Sequence, residues 1–501
     1  MLMSIMKTPG VYVVEKNAFP SSVVEVATAV PAFVGFTEKA ENGNKSLLDK
    51  PWRIASMAEY HAYFGGAPAP AFTLSASEDG QKADLVSAYG RFNVTRETTF
   101  SLYYNMLLFF ANGGGPCYVV SVGDYTSDPA ADAFLGGINQ LLREQEPTML
   151  VIPEAVNLSS DGCKTVQEAM LKHCGYEMRS RFAIVDVFEG NKERTDPAGD
   201  VVNDFREYIG SNFLDFGAAY YPWLNTTLVQ DGDLDYRSLS DIGPLKDLLK
   251  QEAEKSAIVG FSELVDGLEA TKDDELTAEA KQVITTNHKI LYQVSPIYRD
   301  ILKEIRFKLN TLPPSAAMAG VFTLVDNSKG VWKAPANVSI AAVNSPCCTV
   351  SHAQQEDLNV PISGKAINAI RSFVGEGIKV WGARTLDGNS LDWRYINVRR
   401  TIIMIEESIK NAARAYVFDP NTANTWVSVR SMVSNFLTSV WKRGGLAGST
   451  PDDAFSVHIG LGETMTPEDI LEGIMRVTVL VAVVRPAEFI EITFQQQMQK
   501  S

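Results

Sequence analysis

Apolar positions along this chain change spacing three times, and each spacing predicts a different kind of element. From Cys117 to about Leu224, short apolar runs at Cys117–Val122, Thr148–Ile152, Phe182–Val187 and Phe216–Tyr221 alternate with helix-like stretches around 131–145, 164–177 and 199–211. That alternation predicts an α/β region with a parallel sheet. Leu245 to about Leu309 is charged and helix-rich, as an inserted subdomain would be. Beyond Asp357, Val398, Ile402, Ile405, Ile409, Ala412 and Tyr416 recur at steps of three and four, giving one apolar helical stripe. A second helix carries Trp426, Val429, Val433, Phe436, Leu437 and Val440 on one face and ends at Lys442-Arg443 before Gly444-Gly445. Cations then meet the C-terminal dipole, and a glycine can adopt the left-handed cap. A third helix starts at Thr466-Pro467-Glu468-Asp469, a capping residue followed by a first-turn proline and acids.

Both ends read as strands. Thr8–Glu15 and Val23–Phe36 form the first extended pieces, with Pro31 arguing against an uninterrupted central strand in the second. At the other end, Arg476–Val484 and Ala487–Phe494 are strand-like and divided by Pro486; Ile490, Ile492 and Phe494 share one face of the latter. Terminal strands fray or aggregate unless something pairs with them. Fully extended, residues 1–15 reach roughly 50 Å, enough to add a strand to a neighbour's sheet. Pairing of both ends within their own subunit is the alternative.

Composition narrows the function. With 45% apolar and 21% charged residues, the 501-residue chain has globular proportions and length for roughly two to four domains. The net charge of −15 disfavours nucleic acid as a partner. Residues 231–280 alone hold fourteen acids against five Lys/Arg, the pattern of a solvated surface insertion or a docking face for a basic partner. Five cysteines, Cys117, Cys163, Cys174, Cys347 and Cys348, are irregularly spaced, which fits a reducing compartment. No long apolar span or secretory leader is legible, so synthesis in the cytoplasm without membrane insertion is expected.

Motifs for chemistry fall short. Gly375-Glu376-Gly377 with Gly382 has the wrong spacing for a dinucleotide loop, and Ser363-Gly364-Lys365-Ala366 lacks the upstream glycine and the following hydroxyl of a phosphate loop. Gly113–Gly115 precedes a strand instead of following one. Cys163, His173 and Cys174 lack a fourth ligand. The expectation is therefore a non-enzyme without a cofactor. An α/β ligand-binding enzyme would use the 117–224 sheet, with Asp124, Glu154 and Asp186 lining a site at the strand ends.

Several segments resemble the tail sheath protein family of contractile phage tails and phage-tail-like injection systems. They are Thr8–Glu15, Thr28–Thr37, Tyr220–Leu224, Pro313–Ser315, Gly330–Asn337, Leu358-Asn359, Asn368–Arg371, Gly377–Leu386, Trp393–Arg400 and Pro486–Phe489, and their number and order carry the resemblance. The resemblance implies a multidomain α/β chain. Its conserved α+β sheath core is made from the N-terminal segment and the C-terminal third, with an α/β domain and a helical acidic subdomain inserted and extended β-arms at both ends. The corresponding divisions are 1–38, a variable insertion at 39–116, an α/β domain at 117–354 with its acidic insertion at about 225–310, a C-terminal core at 355–486, and an arm at 487–501. Val11, Tyr12, Val13 and Val14 would lie in one inter-subunit arm, and Phe489, Ile490, Ile492 and Phe494 in the other. Lys442, Arg443, Glu468, Asp469 and Glu472 would be candidates to face an inner tube, although helix-end or solvated roles also suit them. The implied partners are further copies in a helical homopolymer, the inner tube, and baseplate and terminator proteins. Assembly in the bacterial cytoplasm into a tail or released particle would follow, as would contraction from a metastable extended state. A non-contractile shell or adhesin built by strand exchange is the other structural reading.

Overall fold

The computed structural model describes residues 23–78, 83–255, 258, 260–269 and 277–492. Val11–Val14 and Phe494 lie outside them. The chain forms two compact units: residues 27–400 with 485–501, and residues 1–26 with 401–484.

The larger unit is organised by eight strands: β1 (Pro31–Gly35), β2 (Trp52–Ile54), β3 (Cys117–Ser121), β4 (Met149–Val151), β5 (Phe182–Asp186), β6 (Gly217–Tyr221), β7 (Asn368–Phe373) and β8 (Gly377–Trp381). Their order is β8-β7-β6-β5-β4-β1-β3-β2. The six strands from β7 to β3 run parallel, with Phe33 aligned to Val119 on one side and Val151 on the other. Antiparallel β2 and β8 close the edges. Every residue of β1, β3, β4, β5 and β6 is buried, as a sheet covered on both faces requires.

Pro31 does not keep β1 out of the centre. It is the first residue of the strand, where its missing N–H takes no ladder bond away from the residues that follow. Covering the sheet are α1 (Leu102–Ala111), α2 (Ala131–Gln140), α3 (Ser160–Lys172) and α4 (Val201–Tyr208). The helical stretch supplies α5 (Gly243–Lys255), α6 (Ala278–Val294) and α7 (Pro296–Asn310), and α8 (Ser315–Lys329) follows it. Helix α8 is apolar almost all round, so it is a core helix. It packs against α1 so closely that a Cβ on Gly320 would lie 2.6 Å from the Phe109 carbonyl oxygen. The described part of the acidic block contributes apolar side chains such as Leu245, Leu249 and Phe261 to the core, and several of its acids have partners in their own subunit: Asp231 pairs with Arg306, Asp235 with Arg237, and Asp266 with Lys250.

Helix α9 spans Ile396–Ala413. Of the expected apolar stripe, Val398 and Ile405 are buried, Ile402, Ile409 and Ala412 are half-buried, and Tyr416 lies in a turn past the helix end; burial instead takes in Arg399 and Arg400. Arg400 grips Asp326 of α8 through two hydrogen bonds of 2.9 and 2.6 Å, donates to the Thr28 carbonyl at 2.9 Å, and lies over the Phe322 ring. The pair is almost fully buried. A charge is stable there only because the partner and the carbonyl satisfy it.

In the smaller unit, α10 (Ala423–Lys442) buries Val429, Val433, Phe436, Leu437 and Val440 of the expected face, with Met432 added, while Trp426 at its start is only half-buried and donates to Asn421. Gly444 follows with φ +86°, the left-handed conformation expected after the helix. Strands β9 (Phe455–His458) and β10 (Thr478–Val481) form an antiparallel hairpin. Ala487–Ile492, the described part of the last strand-like run, is assigned to no strand. It joins none of the sheets formed by the described residues. No helix among the described residues is long and apolar enough to cross a membrane.

Candidate functional site

Strand β1 lies between β3 and β4, so the strand order reverses around it. In open α/β sheets such a reversal opens a crevice at the carboxyl ends of the strands, where ligands bind. Here Glu154, just past β4, fills that position. One carboxylate oxygen accepts the Phe36 N–H at 2.8 Å; the other accepts the N–H groups of Ser101 and Leu102 at 2.6 and 2.9 Å. The side chain thus ties the end of β1 to the exposed donors at the start of α1. Burial pushes its pKa up to about 6, against the lowering effect of those three N–H groups. A Cβ on Gly35 would lie 2.5 Å from the Glu154 carboxylate, so the approach depends on glycine.

Asp186 repeats the arrangement one strand further on. It ends β5 and accepts the N–H of Ser315, the first residue of α8, at 2.8 Å. Burial raises its pKa to about 7. Asp124 stays at the surface and accepts from Thr126 and Ser127 in its own turn. The three acids expected to line a ligand site are therefore engaged in holding helix starts and a turn. Cys163, His173 and Cys174 are all buried. Arg181 donates to His173 Nε2 at 2.6 Å, and burial together with the Arg181 charge pushes the histidine pKa down to about 4. Among the described residues, no three His, Cys, Asp or Glu side chains are grouped to hold a metal ion.

The more informative geometry is at the C-terminal segment. Glu488 accepts four hydrogen bonds: from Arg384 Nε at 3.0 Å and Nη2 at 2.6 Å, from Asn359 Nδ2 at 2.8 Å and from the Tyr395 hydroxyl at 3.1 Å. Arg384 also donates to the Asn359 carbonyl, and its backbone exchanges two bonds with Asn368 at the start of β7. Burial pushes the Glu488 pKa up, but the bonds from Arg384 and Asn359 outweigh it and hold the group below the usual carboxylate value. One residue later the environment changes: Phe489, Ile490 and Ile492 are 74%, 79% and 69% exposed. No periodicity in the sequence signals this cluster, because Arg384 and Glu488 are 104 positions apart.

The charged candidates of the smaller unit are scattered in role. Asp469 closes the capping box at Thr466 and pairs with Arg476 at 2.8 Å, and these contacts pull its pKa down to about 2. Arg443 pairs with Glu25. Lys442, Glu468 and Glu472 are exposed.

Residues 389–497 match the family model described as the phage tail sheath C-terminal domain. The tail sheath protein of Vibrio phage KVP40 is 24% identical over 164 residues, 32% of this chain and 23% of that protein. The cryo-EM structure of the PVC sheath complex, from an extracellular contractile injection system in its contracted state, is similar over 99% of both chains, with 29% identity and a TM-score of 0.60. Residues 389–497 carry the match to the sheath family's C-terminal domain, and the likeness to an injection-system sheath extends over nearly the whole chain. The helical sheath of the anti-feeding prophage in its contracted state, 27% identical with a TM-score of 0.60, corresponds to 98% of this chain and to all of its own. The phage relative is matched over about a quarter of its length only. The family's C-terminal domain, as matched here, takes in α9, α10, the hairpin and Glu488.

Proposed function

We propose that this chain is a structural subunit of a contractile sheath: it polymerises helically around an inner tube, and contraction from a metastable extended state drives the tube through a target envelope. The observation that carries the reading is the end-to-end correspondence with two injection-system sheaths in their contracted states. The physical mechanism needs no nucleotide. Subunits assemble into the less stable of two packings behind a kinetic barrier, and release of that barrier does work summed along the polymer. A switch point filled by Glu154 suits a chain whose sheet is scaffold.

Within that reading, Val11–Val14 and the segment from Phe489 to Phe494 are inter-subunit arms. The exposure of Phe489, Ile490 and Ile492 supports the second arm, since a row of large apolar side chains in water gains free energy when a neighbour covers it. Lys442, Glu468 and Glu472 are the candidates best able to meet a tube, being exposed; Arg443 and Asp469 already have partners at home. Baseplate and terminator proteins complete the particle, which would form in a bacterial cytoplasm.

The test is negative-stain electron microscopy of the purified chain beside a variant lacking Met1–Glu15. Long hollow tubes from the intact chain alone are expected. Tubes from both would remove the N-terminal arm from the assembly mechanism. Folded monomers from the intact chain at every salt and protein concentration would overturn the sheath reading.

A further inference from the structure

We infer that Glu488 is the positioning residue of the C-terminal arm: it fixes the root of Phe489–Ile492 to the eight-stranded sheet, so that a second copy meets a pre-aimed apolar segment. This rests on the sheath reading above. Three observations carry it.

The first is the abruptness of the transition. Glu488 is largely buried under four hydrogen bonds, while Phe489 and Ile490 immediately beyond are mostly in water. The second is where the anchor leads. Arg384 presents its planar guanidinium to the carboxylate through two nitrogens, the most directional ion-pair geometry available. Arg384 is in turn locked by Asn368, whose side-chain amide also donates to the Ala219 carbonyl of β6 at 3.2 Å. A load on the arm therefore passes through one buried contact into β6 and β7. The third is that the anchor is oversized for holding a chain end. Its buried charge pair costs desolvation and needs all its partners to offset that.

Pre-aiming lowers the ordering entropy that the arm loses on docking, so it strengthens assembly without adding any contact to the neighbour. The occupant is a second copy of this chain. The chain corresponds to helical sheath subunits over 98–99% of its length, and the family match runs through this segment to residue 497.

The experiment compares the full chain with Glu488→Gln and with a Phe489→Ser/Ile490→Ser/Ile492→Ser variant. Critical concentration for tube formation is measured by sedimentation and folding by thermal melt. Glu488→Gln keeps the shape but loses the charge-assisted bonds. It should raise the critical concentration by about tenfold or more and leave the melting temperature of the unassembled subunit within a few degrees. The triple serine variant should abolish tubes. If Glu488→Gln assembles at the wild-type concentration while the triple variant fails, the arm is real and the anchor is not, and the inference is overturned. Wild-type failure to form tubes would strike the sheath reading instead. Should Glu488→Gln unfold, Tyr395→Phe removes a single peripheral bond, and an unchanged critical concentration for it would also overturn the inference.

Discussion

The eight-stranded sheet and the β9–β10 hairpin are both made of β-branched and apolar residues, yet they end in different physical states. The sheet buries its central strands on both faces, closes each edge with an antiparallel strand, and plugs its own topological crevice with Glu154. The hairpin has two strands, and Leu480 on β10 is 58% exposed. Two strands alone are marginal in water, and their outer backbone groups invite further pairing. The contrast separates a sheet closed on both edges from a strand pair with open edges, which under the proposed sheath reading would meet another copy. The first should respond to mutation by losing fold stability, the second by losing assembly.

The largest effect belongs to the scaffold. Arg400→Ala leaves Asp326 buried without its charge partner, and a loss of about 3–5 kcal/mol is expected, read as a large fall in denaturant midpoint. An unchanged midpoint would show that the buried pair is not what holds α8 to α9. Next is pH. Because folding raises the Asp186 pKa to about 7, the folded chain holds more protons than the unfolded one between about pH 4 and 7. Wild-type stability should therefore fall through that window as pH rises. Asp186→Asn should remove this residue's share of the slope and leave that of Glu154, so the variant gains on wild type by on the order of 3 kcal/mol between pH 4 and pH 8; parallel profiles would contradict it. Gly320→Ala should cost about 1–3 kcal/mol, because α1 and α8 must part to admit the methyl group. Smallest for the fold is Leu480→Thr, expected within about 0.5 kcal/mol of wild type in the monomer yet defective in tube formation. A variant that assembles normally would remove the hairpin from the interface.

Much of the fold was legible in the chain because it is local in origin. The order of strands and helices from Cys117 to Leu224 follows from runs of apolar residues broken by amphipathic stretches. The buried face of α10 follows from steps of three and four. The capping box at Thr466 and the left-handed Gly444 need only their immediate neighbours to be recognised. Pro31 does break Val23–Phe36, since the strand begins only at the proline; its one missing N–H matters little there because it stands at the start of the strand and not in its middle.

The resemblance in the sequence pointed to the segments that matter without showing why they matter. Trp393–Arg400 reads as the cationic start of an amphipathic helix. Only the packed structure reveals that Arg400 faces inward to Asp326, 74 positions earlier, and to the Thr28 carbonyl. Glu488 looks like an ordinary surface acid in a short strand until Arg384, Asn359 and Tyr395 close around it.

Sequence alone determined the periodicities, the caps and the excess of negative charge, all set by neighbours within a turn or a strand. Tertiary structure decided which charges are buried and which strand lies central. It also turned Glu154 and Asp186 into helix anchors instead of ligand-site acids. The reason is that the free energy of a buried charge depends on its desolvation and its partner, and both are fixed only when distant parts of the chain meet.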